Sequence, residues 1–154
     1  MSMVKKLCVC WILLLMCKSV SSGAGRLWYT MPACERKVSN PWMEYQLPIG
    51  NGQLGAMIQG GVKTDEIQFN EKTLWTGSTT VRGAYQNFGY VTIENLSAKT
   101  SYSDYELQLD LSSAVVSASW RVNGIGFQRE YIASYPSRCI VVHTTVERGG
   151  RLDL

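Results

Sequence analysis

Acidic side chains are the residues of this sequence that could carry acid–base chemistry. Catalysis by two carboxyl groups needs a facing pair and an environment that raises the pKa of one of them. Here the candidates alternate with apolar residues in predicted strands, which places each on a solvated strand face. The acids alone therefore predict no catalytic centre; they are Glu66, Glu106, Asp110 and Glu130.

The sequence gives little support for a metal site or for a Ser-His-Asp catalytic triad. The chain contains one histidine, His143, in the alternating stretch 140–146, and we expect a half-buried strand residue there. A zinc site needs three or four well-placed ligands, and a Ser-His-Asp arrangement cannot be argued from a lone histidine. We expect no cofactor and no metal site.

The N-terminal segment has the pattern of an export signal. Lys5 and Lys6 precede an apolar run over 7–16, which is too short to span a bilayer, and small residues follow at 19–23. The sequence predicts a cleavable signal peptide over 1–22 and a mature domain over 23–154, exported to the periplasm or the extracellular space. No membrane association is expected after cleavage.

Lipoprotein processing at Cys17 is the alternative, although Met16 is bulky where a small residue is expected.

The charge balance argues against nucleic acid as a partner, and the cysteine content limits the possible disulfides to one. Three of the 15 basic residues lie in the predicted signal, so 12 remain against 12 acidic residues, and no basic stripe is left for nucleic acid. Three of the five cysteines also lie there. Cys34 and Cys139 remain for an oxidising compartment, where they are a possible disulfide or, alternatively, two buried thiols.

The elements that would position these side chains are short strands. Asn123-Gly124 between two alternating stretches predicts a hairpin with a type I′ turn. The connection around Pro32, Asn40 and Pro41 does not favour helix, and Leu152–Leu154 looks like the beginning of another strand. About eight strands separated by turns predict an all-β, antiparallel β-sandwich, incomplete at its C-terminal end; the others are 26–29, 54–58, 66–70, 88–93, 105–111 and 140–146.

Three segments closely resemble glycoside hydrolase family 95: 47–57, which reads LPIGNGQLGAM, 60–62, and 68–77, which reads QFNEKTLWTG. The resemblance implies an exported enzyme that removes α-L-fucose, or α-L-galactose, from oligosaccharides with inversion. It also implies that this chain is the N-terminal β-sandwich domain and that a helical barrel domain, absent here, carries the catalytic carboxylates. We therefore expect a scaffold that is inert by itself and whose partners are that barrel and, through the full enzyme, the fucosylated or L-galactosylated oligosaccharide.

Within the resemblance, Asn70, Glu71 and Trp75 follow a strand end, so we expect them near the rim of a sugar pocket. Trp42 and Trp75 could stack on sugars, but a sandwich this small is expected to use its tryptophans in the core. Two other functions stay open: a free-standing carbohydrate-binding module, and a non-functional truncation product that would aggregate through an unpaired strand edge.

Overall fold

Antiparallel strands dominate the computed structural model, which describes residues 25–96 and 101–154. The predicted signal peptide lies outside this part of the chain. The helical elements are a 3₁₀ turn, Ala33–Glu35, and one short helix, α1, Pro41–Tyr45. Strands are β1 Arg26–Tyr29, β2 Leu47–Gly50, β3 Leu54–Ile58, β4 Thr64–Glu71, β5 Trp75–Thr76, β6 Ala84–Tyr85, β7 Gly89–Glu94, β8 Ser103–Asp110, β9 Val115–Val122, β10 Ile125–Ser134 and β11 Cys139–Val146.

Two sheets pack face to face. One has five strands in the order β1-β8-β9-β10-β11, the other has four in the order β2-β3-β4-β7, and β5 with β6 forms a separate ribbon. Every pairing is antiparallel. The predicted all-β antiparallel sandwich is confirmed.

Alternation of side chains decides which face of each strand is buried. In β8, Tyr105, Leu107 and Leu109 are buried while the residues between them are partly exposed. The inner faces of both sheets meet in one core, where burial of apolar surface stabilises the fold. Its fully buried members include Leu47, Ile58, Leu107, Val116, Trp120 and Tyr131.

The predicted hairpin is confirmed as β9 and β10. Val122 pairs with Ile125, and the two residues between them, Asn123 and Gly124, have φ values of 52° and 79°. Positive φ at both positions is the requirement of a type I′ turn, which Asn-Gly meets at low cost.

Helical structure in the first connection corrects the expectation for that segment. Asn40 accepts a hydrogen bond from the Met43 amide at its side-chain oxygen, 3.2 Å away, and Pro41 begins the helix. An asparagine N-cap followed by proline is a helix start, so the same residues that interrupt a strand pattern here begin α1. No helix in residues 25–96 and 101–154 is long and apolar enough to cross a membrane.

Two further expectations are wrong. Leu152–Leu154 forms no strand; a bond from the Leu96 amide to the Asp153 carbonyl, at 2.8 Å, ties the segment to the end of β7. The His143 side chain is 65% exposed, because Val142 and Thr144 take the inner face of β11 and leave His143 outside. Its ring nitrogen lies 3.8 Å from Glu130 on the neighbouring strand.

Candidate functional site

The outer face of the four-stranded sheet carries the segments with the family resemblance. Pairing register places Pro48, Met57, Gln68 and Tyr90 in one row across its four strands. Pro48, Met57 and Gln68 alternate with residues that pack in the core, and the register places Tyr90 beside Gln68, so the four side chains share the outer face. Trp42, from α1, lies over this face beside Gln68.

On the same outer face, two residues further along the strands, a pair of glycines lies side by side. Gly50 pairs with Gly55, and Gly55 pairs with Asn70. A Cβ at Gly55 would meet its nearest neighbour at 3.7 Å, and one at Gly50 at 3.4 Å, which are ordinary contacts. Neither has the positive φ that demands glycine. The pair therefore leaves room above the sheet without being required by the backbone.

Three adjoining cavities follow this face and together form what we call the outer cleft. The first, of about 500 Å³, shares Trp42 and Gln68 with the second, of about 460 Å³. The second shares Gly55, Asn70 and Tyr85 with a third of about 250 Å³. Ligand pockets have about these volumes.

Asn70 and Glu71 lie at one end of the outer cleft. The Asn70 side-chain oxygen accepts from the Glu71 amide at 2.8 Å, and Glu71 accepts from the amide of Thr73 at 2.8 Å and from its hydroxyl. The bonds from Thr73 hold the pKa of Glu71 below its usual value. A general acid needs a raised pKa, so Glu71 is suited to stabilising its own turn rather than to protonating a leaving group.

Trp75 lies on the ribbon rather than in the cavities. It pairs with Tyr85, which does line the second and third cavities. A Cβ at Gly77 or Gly83 would come within 2.4 Å or 2.7 Å of the indole ring, so both residues must be small for the ring to lie there. Asn70 and Glu71 thus share one cavity, and Trp75 flanks it.

Tryptophan placement differs from the sequence expectation. Trp120 is buried, with 1% of its surface exposed, but Trp42 and Trp75 are 42% and 49% exposed. Trp42 is carried by the helix and Trp75 by the ribbon, which lie outside the two packed sheets. The core is filled by other residues, including the aromatic Tyr105, Trp120 and Tyr131, and neither of these two rings belongs to it.

The strand-face acids do not converge. Glu66 lies on the outer face of the four-stranded sheet, while Glu106, Asp110 and Glu130 lie on the outer face of the other sheet. Hydrogen bonds from Ser112 hold the pKa of Asp110 below its usual value. Glu106, Asp110 and Glu130 have local partners on one side of the molecule, and Glu66 lies on the opposite side.

Cys34 and Cys139 are free cysteines, so the possible disulfide is not present, and neither thiol is fully buried. The Ala33 amide bonds to the Gln59 carbonyl just after β3, which fixes Cys34 at that end. Cys139 pairs with Ser134, whose carbonyl accepts from Asn51 just before β3. The two cysteines therefore lie near opposite ends of β3, whose five residues span roughly 15 Å. A disulfide spans at most about 7 Å between its Cα atoms.

A buried ionic cluster joins the two sheets, and the sequence reasoning missed it. Asp65, at 0% exposure, accepts from Arg129 at 3.0 Å, from the Tyr131 hydroxyl at 2.5 Å and from the Gly61 amide at 3.0 Å. Burial, together with the charge of Asp65, raises the pKa of Tyr131 well above its usual value. The signal was present in the alternation, because Asp65 and Arg129 occupy inward positions of β4 and β10.

Comparison with known proteins assigns the domain. The sequence model of the glycosyl hydrolase family 65 N-terminal domain matches residues 27–83 and 78–154. The chain belongs to this family. Among curated proteins, α-L-fucosidase 2 of Arabidopsis thaliana is 30% identical over 153 aligned residues, which cover 75% of this chain and 18% of the relative.

This chain therefore spans less than a fifth of the length of that relative. The comparisons show an N-terminal domain of a glycoside hydrolase with a fucosidase among its relatives. The matched model is that of family 65, whereas segments 47–57 and 68–77 resemble family 95.

Proposed function

We propose that the chain is the N-terminal scaffold domain of an exported, inverting, α-L-fucosidase-like glycoside hydrolase of family 95 and is inert by itself. The observation that carries the proposal is the meeting of the two most specific resemblance segments, 47–57 and 68–77, on one face of one sheet. They contribute Gly55, Asn70 and Glu71 to a single cleft.

Chemistry on this domain would require two carboxyl groups about 6.5–9.5 Å apart across a sugar, with one of them a proton donor at neutral pH. Glu71 is the carboxylate of the resemblance segments that borders the cleft, and its lowered pKa opposes that role. The proposal therefore assigns catalysis to a separate helical barrel domain, with the 70–75 segment at the rim of its sugar pocket.

The first test measures release of 4-nitrophenol from 4-nitrophenyl α-L-fucoside by the purified chain. We expect none, while the near-ultraviolet circular dichroism of the buried Trp120 shows that the domain is folded. If the folded chain releases 4-nitrophenol faster than buffer alone, and this activity co-purifies with the chain, the proposal is contradicted.

The second test concerns the rim. In a full-length relative, alanine at the positions that correspond to Glu71 and Trp75 is expected to lower kcat/KM for a fucosylated oligosaccharide by about tenfold, or about 1.4 kcal/mol. Unchanged kcat/KM with lowered stability would reduce both residues to a structural role.

A free-standing carbohydrate-binding module is the second candidate function. The observation that favours it is the outer cleft itself, which is lined by aromatic and amide side chains. Calorimetry of the chain against fucosylated glycans separates a module with affinity from a scaffold without it.

A further inference from the structure

We propose that the outer cleft binds a neutral oligosaccharide, with one sugar ring over Gly55 and another beside Trp42. This rests on the second candidate function and deepens it by naming the ligand class and its contacts, whereas a scaffold that only positions another domain needs no affinity for sugar.

The glycine pair supplies the space. Glycine within a strand costs about 0.5–1 kcal/mol relative to alanine. At Gly50 and Gly55 neither backbone conformation nor crowding compensates for that cost, since a Cβ at either position would make ordinary contacts. Glycine inside a strand often marks a place where a ligand approaches closely.

Aromatic rings border this space on both sides. Trp42 lies at the junction of the first and second cavities, and Tyr85 at the junction of the second and third. Both are well exposed, at 42% and 66%. Exposed rings beside a cavity present flat apolar surfaces, which match the C–H faces of a pyranose ring.

The polar lining of the second cavity is uncharged. Among its described residues the second cavity contains no Asp, Glu, Lys, Arg or His, and its polar side chains are amides, including Gln68, Asn70 and Gln86. Amides both donate and accept hydrogen bonds, as sugar hydroxyl groups do. The second cavity therefore offers a sulfated or phosphorylated sugar no counter-charge, and Glu66 at the first cavity would repel it. Lys72, at the third cavity, lies beside Glu71, which offsets its charge.

The test is isothermal titration of the 154-residue chain with 2′-fucosyllactose, lactose and cellotetraose, and with a heparin tetrasaccharide as the charged comparison. We expect saturable binding of at least one neutral sugar with a Kd of about 1 mM or below, and none of the sulfated one. Trp42→Ala and Gly55→Val should each weaken binding at least about tenfold, the first by removing a stacking face and the second by filling the floor of the cleft.

Trp28→Ala is the matched control, because Trp28 is 58% exposed on β1 of the other sheet, and its binding should stay within about twofold of the unmodified chain. Circular dichroism must show each variant folded; if Gly55→Val fails this criterion, Trp42→Ala decides. Absence of saturable binding, or binding that neither variant weakens, would overturn the proposal and leave the cleft as a surface for packing against protein. Neither result bears on hydrolysis, so the scaffold proposal is tested separately.

Discussion

The two faces of the four-stranded sheet use small and polar residues in opposite ways. On the inner side, Asp65 is bound from three directions, and Gly60 and Gly61, in the turn from β3 to β4, are buried where no side chain fits. On the outer side, Gly50 and Gly55 lie where a side chain would fit, and the amides around them face open cavities. The inner face is therefore filled for stability, while the outer face keeps space that folding does not require.

The largest expected effect comes from removing the inner carboxylate. Asp65→Ala leaves the fully buried Arg129 without its counter-ion and should lower the free energy of unfolding by about 3–5 kcal/mol. Urea denaturation measures this change. Glu66→Ala, on the outer face of the same strand, is the matched control and should change stability by less than about 1 kcal/mol. Equal losses in the two variants would remove the distinction between the faces.

Glycine substitutions compare the two faces through smaller changes in the free energy of unfolding. Gly60→Ala should destabilise by about 1–3 kcal/mol, because its φ is 70° and its Cβ would lie 2.5 Å from the Tyr105 hydroxyl oxygen. Gly55→Ala should instead raise stability by about 0.5 kcal/mol, since the site is open and alanine suits a strand better. Thermal denaturation of both variants checks the opposite signs. A loss at Gly55 equal to that at Gly60 would contradict the idea that its space is spare.

Alkaline pH tests the buried hydroxyl group of the inner face. The pKa of Tyr131 is raised in the folded state, so the native chain keeps this proton at a pH where the unfolded chain, with a tyrosine pKa of about 10, loses it. The stability contributed by Tyr131 is therefore complete below about pH 10 and is lost as pH rises further, by up to about 1.4 kcal/mol per unit. Urea denaturation between pH 9 and pH 11 should show a shallower decline for Tyr131→Phe. Tyr135→Phe, which alters an exposed ring, should leave the decline unchanged.

Much of the sandwich could be predicted from the sequence because burial on one face imposes alternation. β4 and β8 to β11 each carry that pattern, β3 was predicted from an apolar run, and the Asn-Gly turn fixed the hairpin between β9 and β10. The ribbon strands β5 and β6 are two residues long and bury no alternating face, so they leave no such pattern. The short helix depended on a capping bond of Asn40, which a proline-containing connection does not reveal without its three-dimensional context.

The candidate site was predictable only in part. Asn70 and Glu71 came from a local segment and do border the cleft. The Gly50–Gly55 pair, Trp42 and Tyr85 come together through strand pairing and through elements that fold over the sheet, which spacing along the chain does not encode. Asp65 was missed because an inward acid reads as a surface residue until its partner, Arg129, is placed opposite it.

The most direct test of the contrast between the two faces compares Tyr131→Phe with Gly55→Val in one experiment that measures both urea stability and calorimetric binding of the neutral oligosaccharide. Tyr131→Phe should lose about 1.5–3 kcal/mol of stability, because it removes a hydrogen bond to a buried carboxylate, and should keep its affinity. Gly55→Val should keep its stability and lose affinity. If both variants lose stability and affinity together, the two faces are not independent and the account is contradicted.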